Sequence, residues 1–239
     1  MPKFIPVSLH QYRDFTKRLT GWYKHNARAL PWRNTNDPYK IWISEVMLAQ
    51  TTVAAVIPYY KKWIRVFPTI KKAAESPLRR ILKIWQGLGY YQRAKNIHKA
   101  ARIILDEHAG QLPRNPEDLR KLAGFGPYIT AAVSSIAFDL RQPVIDANVR
   151  RVVMRLLALK GHANIRQDKV ILSFLEKVLP SKQVGTFNQA LMELGALICR
   201  PQTPLCLKCP VRIFCLACKK GLQEIIPAPH KRVVQKIEA

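Results

Sequence analysis

Two carboxylates and a cluster of cysteines are the side chains here whose type and setting point to chemistry. Glu45 lies inside YKIWISEVMLAQTTVAAVI (residues 39–57), a run apolar on nearly every side, which predicts one continuous buried helix. An unpaired carboxylate there is costly or protonated, so Glu45 has either a buried partner such as Arg33 or a functional task. Asp146 ends the run Pro143-Val144-Ile145 and stands at the start of another helix. As an N-cap it meets backbone N–H groups and the positive end of the helix dipole, both of which favour its ionised form. A carboxylate kept ionised is also what stabilises a developing cation in a transition state.

The cysteines lie close together in the chain. Cys199, Cys206, Cys209 and Cys215 have the spacing C-x6-C-x2-C-x5-C, which brings four thiolates around one centre within a short segment. Zinc and a [4Fe-4S] cluster both accept four thiolates, and spacing alone leaves both open. Cys218 falls outside the pattern and reads as a spare thiol.

The elements that must position these groups read as helices. Ser8-Leu9-His10-Gln11 resembles a capping box opening a helix to about Lys24. Asn115-Pro116-Glu117-Asp118 starts another, with a cap, a first-turn proline and two acids at its positive end. Gly124-Phe125-Gly126-Pro127 then turns the chain into a further helix, whose apolar residues Ile129, Ala132, Val133, Ile136 and Ala137 keep helical spacing. This is a helix-hairpin-helix pattern. Its glycines let backbone N–H groups approach an anion such as a phosphate, although an ordinary αα-corner has the same outline. Gly87-Leu88-Gly89-Tyr90-Tyr91 forms a second glycine turn with an aromatic tip, ahead of a basic helix carrying Arg93, Lys95, Lys99 and Arg102. Later helices are expected over residues 149–159, 166–179 and 186–199, and no strand is expected before residue 230.

Forty Lys and Arg against fifteen Asp and Glu give the 239-residue chain a formal charge of +25. Pairs such as Lys71-Lys72, Arg79-Arg80, Arg150-Arg151 and Lys219-Lys220 spread it along the sequence, a pattern that suits a polyanion rather than a small neutral substrate. A hydrophobic content of 48% agrees with a globular protein. No transmembrane run, signal peptide or lipidation motif is legible, so an intracellular setting, cytoplasmic or nucleoid-associated, without membrane attachment, is expected.

Taken together these segments resemble the helix-hairpin-helix DNA glycosylase superfamily and, within it, the adenine-specific mismatch glycosylases of the MutY family. The likeness rests on LPWR (30–33), DPYKIWISEVML (37–48), GLGYY (87–91), LAGFGPY (122–128), VIDANVRRV (145–153), FNQALMELGALIC (187–199) and the cysteine spacing. It implies an all-α, two-lobed fold. Residues 31–139 would form a six-helix barrel domain bearing the hairpin, residues 1–30 and 140–222 an iron-sulfur cluster domain, and residues 223–239 a tail or linker. It also implies a monomer acting on double-stranded DNA that contains a mismatch, with Cys199, Cys206, Cys209 and Cys215 holding [4Fe-4S] rather than zinc.

The roles carried over by the resemblance are specific. Glu45 would protonate the leaving adenine and Asp146 would stabilise the sugar cation, with Tyr128 and Asn148 orienting the sugar, the water and Asp146. Trp32, Arg33, Leu48 and Gln189 would receive the flipped base, while Gln50, Thr51, Leu88 and Tyr90 would enter the stack around the opposing purine. Gly124, Gly126 and Tyr128 would hold DNA phosphate. Tyr128 stands where lyases of this superfamily carry a catalytic Lys, which implies a monofunctional enzyme.

The chain departs from the family pattern in places. Ala49-Gln50 replaces the usual pair of glutamines, Ala147 a Gly and Ala123 a Pro. The Asp-Ala-Asn form also occurs in related thymine-mismatch glycosylases, whereas Gln189 points back to adenine. Removal of thymine or uracil opposite guanine is therefore the alternative activity, ahead of an endonuclease III-like lyase or a DNA-binding protein without catalysis. The family continues into a Nudix-like domain that reads 8-oxoguanine. Here the segment from Pro227 to Ala239 resembles the start of the linker, with Val233-Val234 hinting at a strand.

Overall fold

The apolar run around Glu45 is two helices rather than one. Pro38–Leu48 and Val53–Val66 are separated by a turn in which Gln50 adopts a left-handed backbone, φ 62°. Thr52 explains the restart: its backbone is extended and its hydroxyl accepts the N–H of Ala55, an N-cap that apolar periodicity conceals.

In the computed structural model, residues 9–162 and 164–228 are described. Their helices are α1 (Leu9–Asn26), α2 (Pro38–Leu48), α3 (Val53–Val66), α4 (Ile70–Ala74), α5 (Leu78–Trp85), α6 (Gln92–Glu107), α7 (Pro116–Lys121), α8 (Pro127–Phe138), α9 (Ala147–Leu156), α10 (Ile165–Val178), α11 (Val184–Leu197) and α12 (Leu216–Lys219). Two 3-10 turns, Cys206–Lys208 and Arg212–Phe214, punctuate the cysteine segment. No strand occurs among the described residues, so the protein is all-α there. Ser8 of the expected capping box and Val233-Val234 of the expected strand lie outside them.

The chain divides into two units. One spans Ala27–Val144 and Pro180–Asn188. Its core is aromatic: Trp42, Trp63, Trp85 and Phe67 are fully buried, with Trp63 meeting Phe67 and Trp85 edge-on. The Trp63 indole N–H donates to the Tyr39 hydroxyl at 2.9 Å, which donates in turn to the carbonyl of Phe67 at 2.9 Å, so the buried polar tips are satisfied. Burial raises the Tyr39 phenol above its usual range. Helix α2 packs on α3 and α8, and α6 packs on α4 and α5.

The other unit comprises the described parts of Met1–Asn26, Ile145–Leu179 and Gln189–Ala239. Here α9 packs on α10 and α12, and α1 on α10. Phe15 of α1 meets Phe174 and Phe214 edge-on. Among the described residues no helix is long and apolar enough to cross a membrane.

Candidate active site

Glu45 reaches its place because α2 is capped firmly at its start. The Asp37 carboxylate accepts the N–H groups of Tyr39 and Lys40 at 2.9 and 3.4 Å, and Pro38 takes the first helical position. Two turns on, Glu45 is 4% exposed, and the Tyr128 hydroxyl donates to its Oε2 at 2.6 Å. Tyr128 stands in the first turn of α8, just past the hairpin. The hairpin follows the expected chemistry: Asn115 caps α7, Pro116 and Pro127 begin their helices, and Gly124 takes φ 84°. Added at Gly124, a Cβ would also stand 3.0 Å from that of Asn96. Gly126 has an ordinary φ of −69° and caps α8.

The same unit holds most of the other expected site residues. Trp32 is buried edge-on to Tyr60 at 5.2 Å between centroids, Arg33 donates to the carbonyl of Arg28 at 3.0 Å, and Leu48 is half-buried at the end of α2. Gln50 is exposed beside Thr51. Leu88 packs inward at 7% exposure, whereas Tyr90 projects at 63%.

Asp146 caps α9 in the other unit, as its sequence position predicts: Oδ1 accepts the N–H of Val149 at 2.6 Å. Its Oδ2 accepts the side-chain amide of Asn148 at 2.9 Å. The Asn148 carbonyl oxygen in turn accepts from Arg151 at 2.9 Å, and Arg151 also donates to the carbonyls of Gly195 and Cys199, both at 2.8 Å. One expectation is reversed. Burial outweighs these donors and holds the Asp146 carboxyl above the usual carboxylate range. Gln189 is oriented by a residue that no motif flags, since the Tyr23 hydroxyl donates to its Oε1 at 2.9 Å.

Cys199, Cys206, Cys209 and Cys215 line one cavity together with Arg155 and Val211. Cys218, outside the four-cysteine spacing, lines the same cavity from α12. Burial first, then the neighbouring thiols, push Cys206 up to about 11, and burial pushes Cys209 up to about 12. Arg155 is 1% exposed, and its guanidinium donates to the carbonyls of Ile226, Arg200 and Pro201 and, at 3.3 Å, to Cys199 Sγ. Among the described residues, no group of three or more His, Cys, Asp or Glu is arranged to hold a metal ion.

The arginines of α9 have partners that sequence reading missed. Arg150-Arg151 looked like surface charge, but Arg150 is paired with Asp168 at 2.7 Å, and Arg151 serves the Asp146 network. Arg151 and Arg155, four apart on a helix otherwise rich in buried valines, carry the only sequence signal of an inward-facing pair.

The model of one protein family, described as HhH-GPD superfamily base excision DNA repair protein, matches residues 43–180. An adenine DNA glycosylase of Buchnera aphidicola subsp. Baizongia pistaciae is 39% identical over 224 residues, covering 89% of this chain. The chain spans 64% of that relative's length. Among solved structures, a thermostable thymine-DNA glycosylase is similar with a TM-score of 0.77 and 29% identity, covering 87% of this chain and 97% of that one. A non-covalent endonuclease III–DNA complex matches with a TM-score of 0.74 and 25% identity over 91% and 99% of the two chains.

Proposed function

As the chain belongs to the HhH-GPD superfamily of base excision DNA repair proteins, we propose that it is a monofunctional DNA glycosylase that releases adenine mispaired with 8-oxoguanine or guanine. The observation that carries this reading is the buried Glu45 held by the Tyr128 hydroxyl, a carboxyl group withdrawn from bulk water and oriented by a phenol. Similarity to adenine DNA glycosylases over most of the chain supports the choice of base.

The target nucleotide leaves the stack, because a carboxyl group cannot reach a glycosidic bond inside a duplex. Glu45 donates its proton to N7 of adenine. The C1′–N9 bond breaks, its electron pair departs with the base, and the sugar becomes cationic at C1′. Asp146 stabilises that cation, and water then adds its oxygen to C1′ and returns a proton. Asn148 and Arg151 keep the Asp146 oxygens directed. Trp32, Arg33, Leu48 and Gln189 receive the base, the last with its amide turned by Tyr23. Gln50, Thr51 and Leu88 with Tyr90 meet the opposing purine, and backbone N–H groups at Gly124, Gly126 and Tyr128 take phosphate.

The unit containing Asp146 would be the cluster domain, and the unit containing Glu45 the helical barrel. Cys199, Cys206, Cys209 and Cys215 would hold [4Fe-4S], which supplies structural cross-linking and no step of the hydrolysis. Two features support this reading, although the sulfurs as they stand are not arranged as a set of metal ligands. Their sulfurs line a cavity, which suits a cofactor with volume of its own better than a zinc ion bound at about 2.3 Å. Arg155, buried with carbonyls and a cysteine sulfur about it, offers positive charge to an anionic cluster. Iron and acid-labile sulfide in stoichiometric amounts after anaerobic purification are expected; active protein carrying zinc instead would reject the cluster.

A second reading, excision of thymine or uracil opposite guanine, draws on the likeness to a thymine-DNA glycosylase structure and on the Asp-Ala-Asn sequence at 146–148. Single-turnover base release from duplexes carrying A opposite 8-oxoguanine, A opposite G, T opposite G and U opposite G separates the two. Release from the first two alone is expected. Faster release of thymine or uracil would exchange the readings.

A further inference from the structure

By sequence, Arg93 belongs to the row of cations on α6 that would face a polyanion. Its guanidinium is instead half-buried and spent on the protein itself. One terminal nitrogen donates to the carbonyls of Val46 at 3.0 Å, Met47 at 2.9 Å and Ala49. The other donates to Thr51 Oγ1 at 3.2 Å and, more loosely, to the carbonyls of Leu88 and Gly89 at 3.4 and 3.3 Å. The group lies over the rings of Trp85 and Tyr90, 5.4 and 5.3 Å from their centroids.

These partners belong to two separate pieces of chain. Val46, Met47 and Ala49 are the end of α2, whose last carbonyls have no partner within the helix and attract a cation. They follow Glu45 directly in sequence. Leu88, Gly89 and Tyr90 form the glycine turn, with Tyr90 at its exposed tip. Both pieces contain a non-glycine residue in the left-handed region, Gln50 at φ 62° and Tyr90 at φ 49°, a conformation that persists only where the surroundings impose it. Arg93 is bound to both. A planar fork with several donors makes such a junction, whereas the single ammonium of lysine does not.

We propose that Arg93 is a positioning residue that joins the exposed Tyr90 turn to the end of the Glu45 helix, so that seating the turn against DNA and presenting Glu45 to the base are one event. The inference deepens the function proposed above and rests on it for the roles of Glu45 and Tyr90. A cation serving only as phosphate contact would be replaced by lysine with little effect. One serving as a junction would not.

The full chain carrying Arg93→Lys, Arg93→Leu, Tyr90→Ala and the Arg93→Lys/Tyr90→Ala pair would be tested by single-turnover adenine release. Unstacking would be read in parallel from the fluorescence of 2-aminopurine placed beside the target base. Thermal melts would establish that each variant folds, with lysine standing in should the leucine variant fail. Each single change is expected to lower the rate by about tenfold to hundredfold and to reduce the fluorescence rise. The pair is expected to lose no more than about threefold beyond the stronger single change, because both act through one connection. A lysine variant with wild-type rate and fluorescence, or losses that multiply in the pair, would overturn the inference. Should the wild type release no base from any duplex, the catalytic reading fails separately. The fluorescence of the bound complexes still decides, since an unchanged signal in Arg93→Lys beside a lost one in Tyr90→Ala refutes the junction.

Discussion

On the mechanism proposed above, replacing Gly195 by alanine should slow base release. A Cβ built on Gly195 would lie 2.6 Å from the Cβ of Asn148 and 3.1 Å from its Cα and carbonyl oxygen. Carbon atoms settle at about 3.5–4.0 Å, so α11 and the first turn of α9 must separate locally by about 1 Å. Asn148 then cannot keep both its partners. Its side-chain Nδ2 donates to Asp146 at 2.9 Å and its side-chain Oδ1 accepts from Arg151 at 2.9 Å, while Arg151 is itself bonded to the Gly195 carbonyl. Lengthening the first contact by that amount removes it as a hydrogen bond. Overpacking costs about 1–3 kcal/mol of stability. If Asp146 acts as proposed, a displacement of this size lowers the rate by up to about a hundredfold. We expect Gly195→Ala to fold, to melt several degrees earlier, and to release adenine about tenfold to hundredfold more slowly under single-turnover conditions. Wild-type rates from a folded Gly195→Ala protein would show that the Asn148–Asp146 geometry does not govern the reaction. Gly21→Ala serves as control, since a Cβ there meets nothing within 4 Å on helix α1, and it should stabilise by about 0.5–1 kcal/mol with unchanged activity.

Glu45→Gln and Asp146→Asn should each lower single-turnover release by orders of magnitude while changing duplex affinity by less than about tenfold, or about 1.4 kcal/mol; near-normal release by either would remove that carboxyl group from the mechanism. Asp146 also predicts a pH profile. Its carboxyl is raised by burial, so the ionised form needed by the sugar cation is lost as pH falls through a value above the roughly 3.9 of a free aspartate. A rate that stays flat down to about pH 4 would contradict this. The stability sign is opposite, because ionised Asp146 is disfavoured in the folded state and its cost disappears over the same descent. With Tyr128 paired to Glu45 rather than an amine in that position, borohydride should trap little covalent protein–DNA product during full base release, and efficient trapping would identify a lyase.

The sequence by itself determined what depends on local chemistry. Asn115, Pro116, Gly124 and Pro127 fixed the hairpin because caps, first-turn prolines and a left-handed glycine act over a few residues. Asp146 was legible as an N-cap for the same reason, and Glu45 because a charge in an apolar run demands an explanation. Tertiary structure decided the rest. The break at Ala49–Thr52 depends on a threonine cap that periodicity smooths over, and it makes the turn that Arg93 grips. The direction of the Asp146 shift reflects burial, which the capping donors next to it in sequence do not reveal. The choice among cations was likewise invisible: Arg93, Arg151 and Arg155 read as part of a charge of +25, yet each turns inward to backbone carbonyls. Composition counts a guanidinium as charge, and only the packed fold decides whether its five donors meet phosphate or protein.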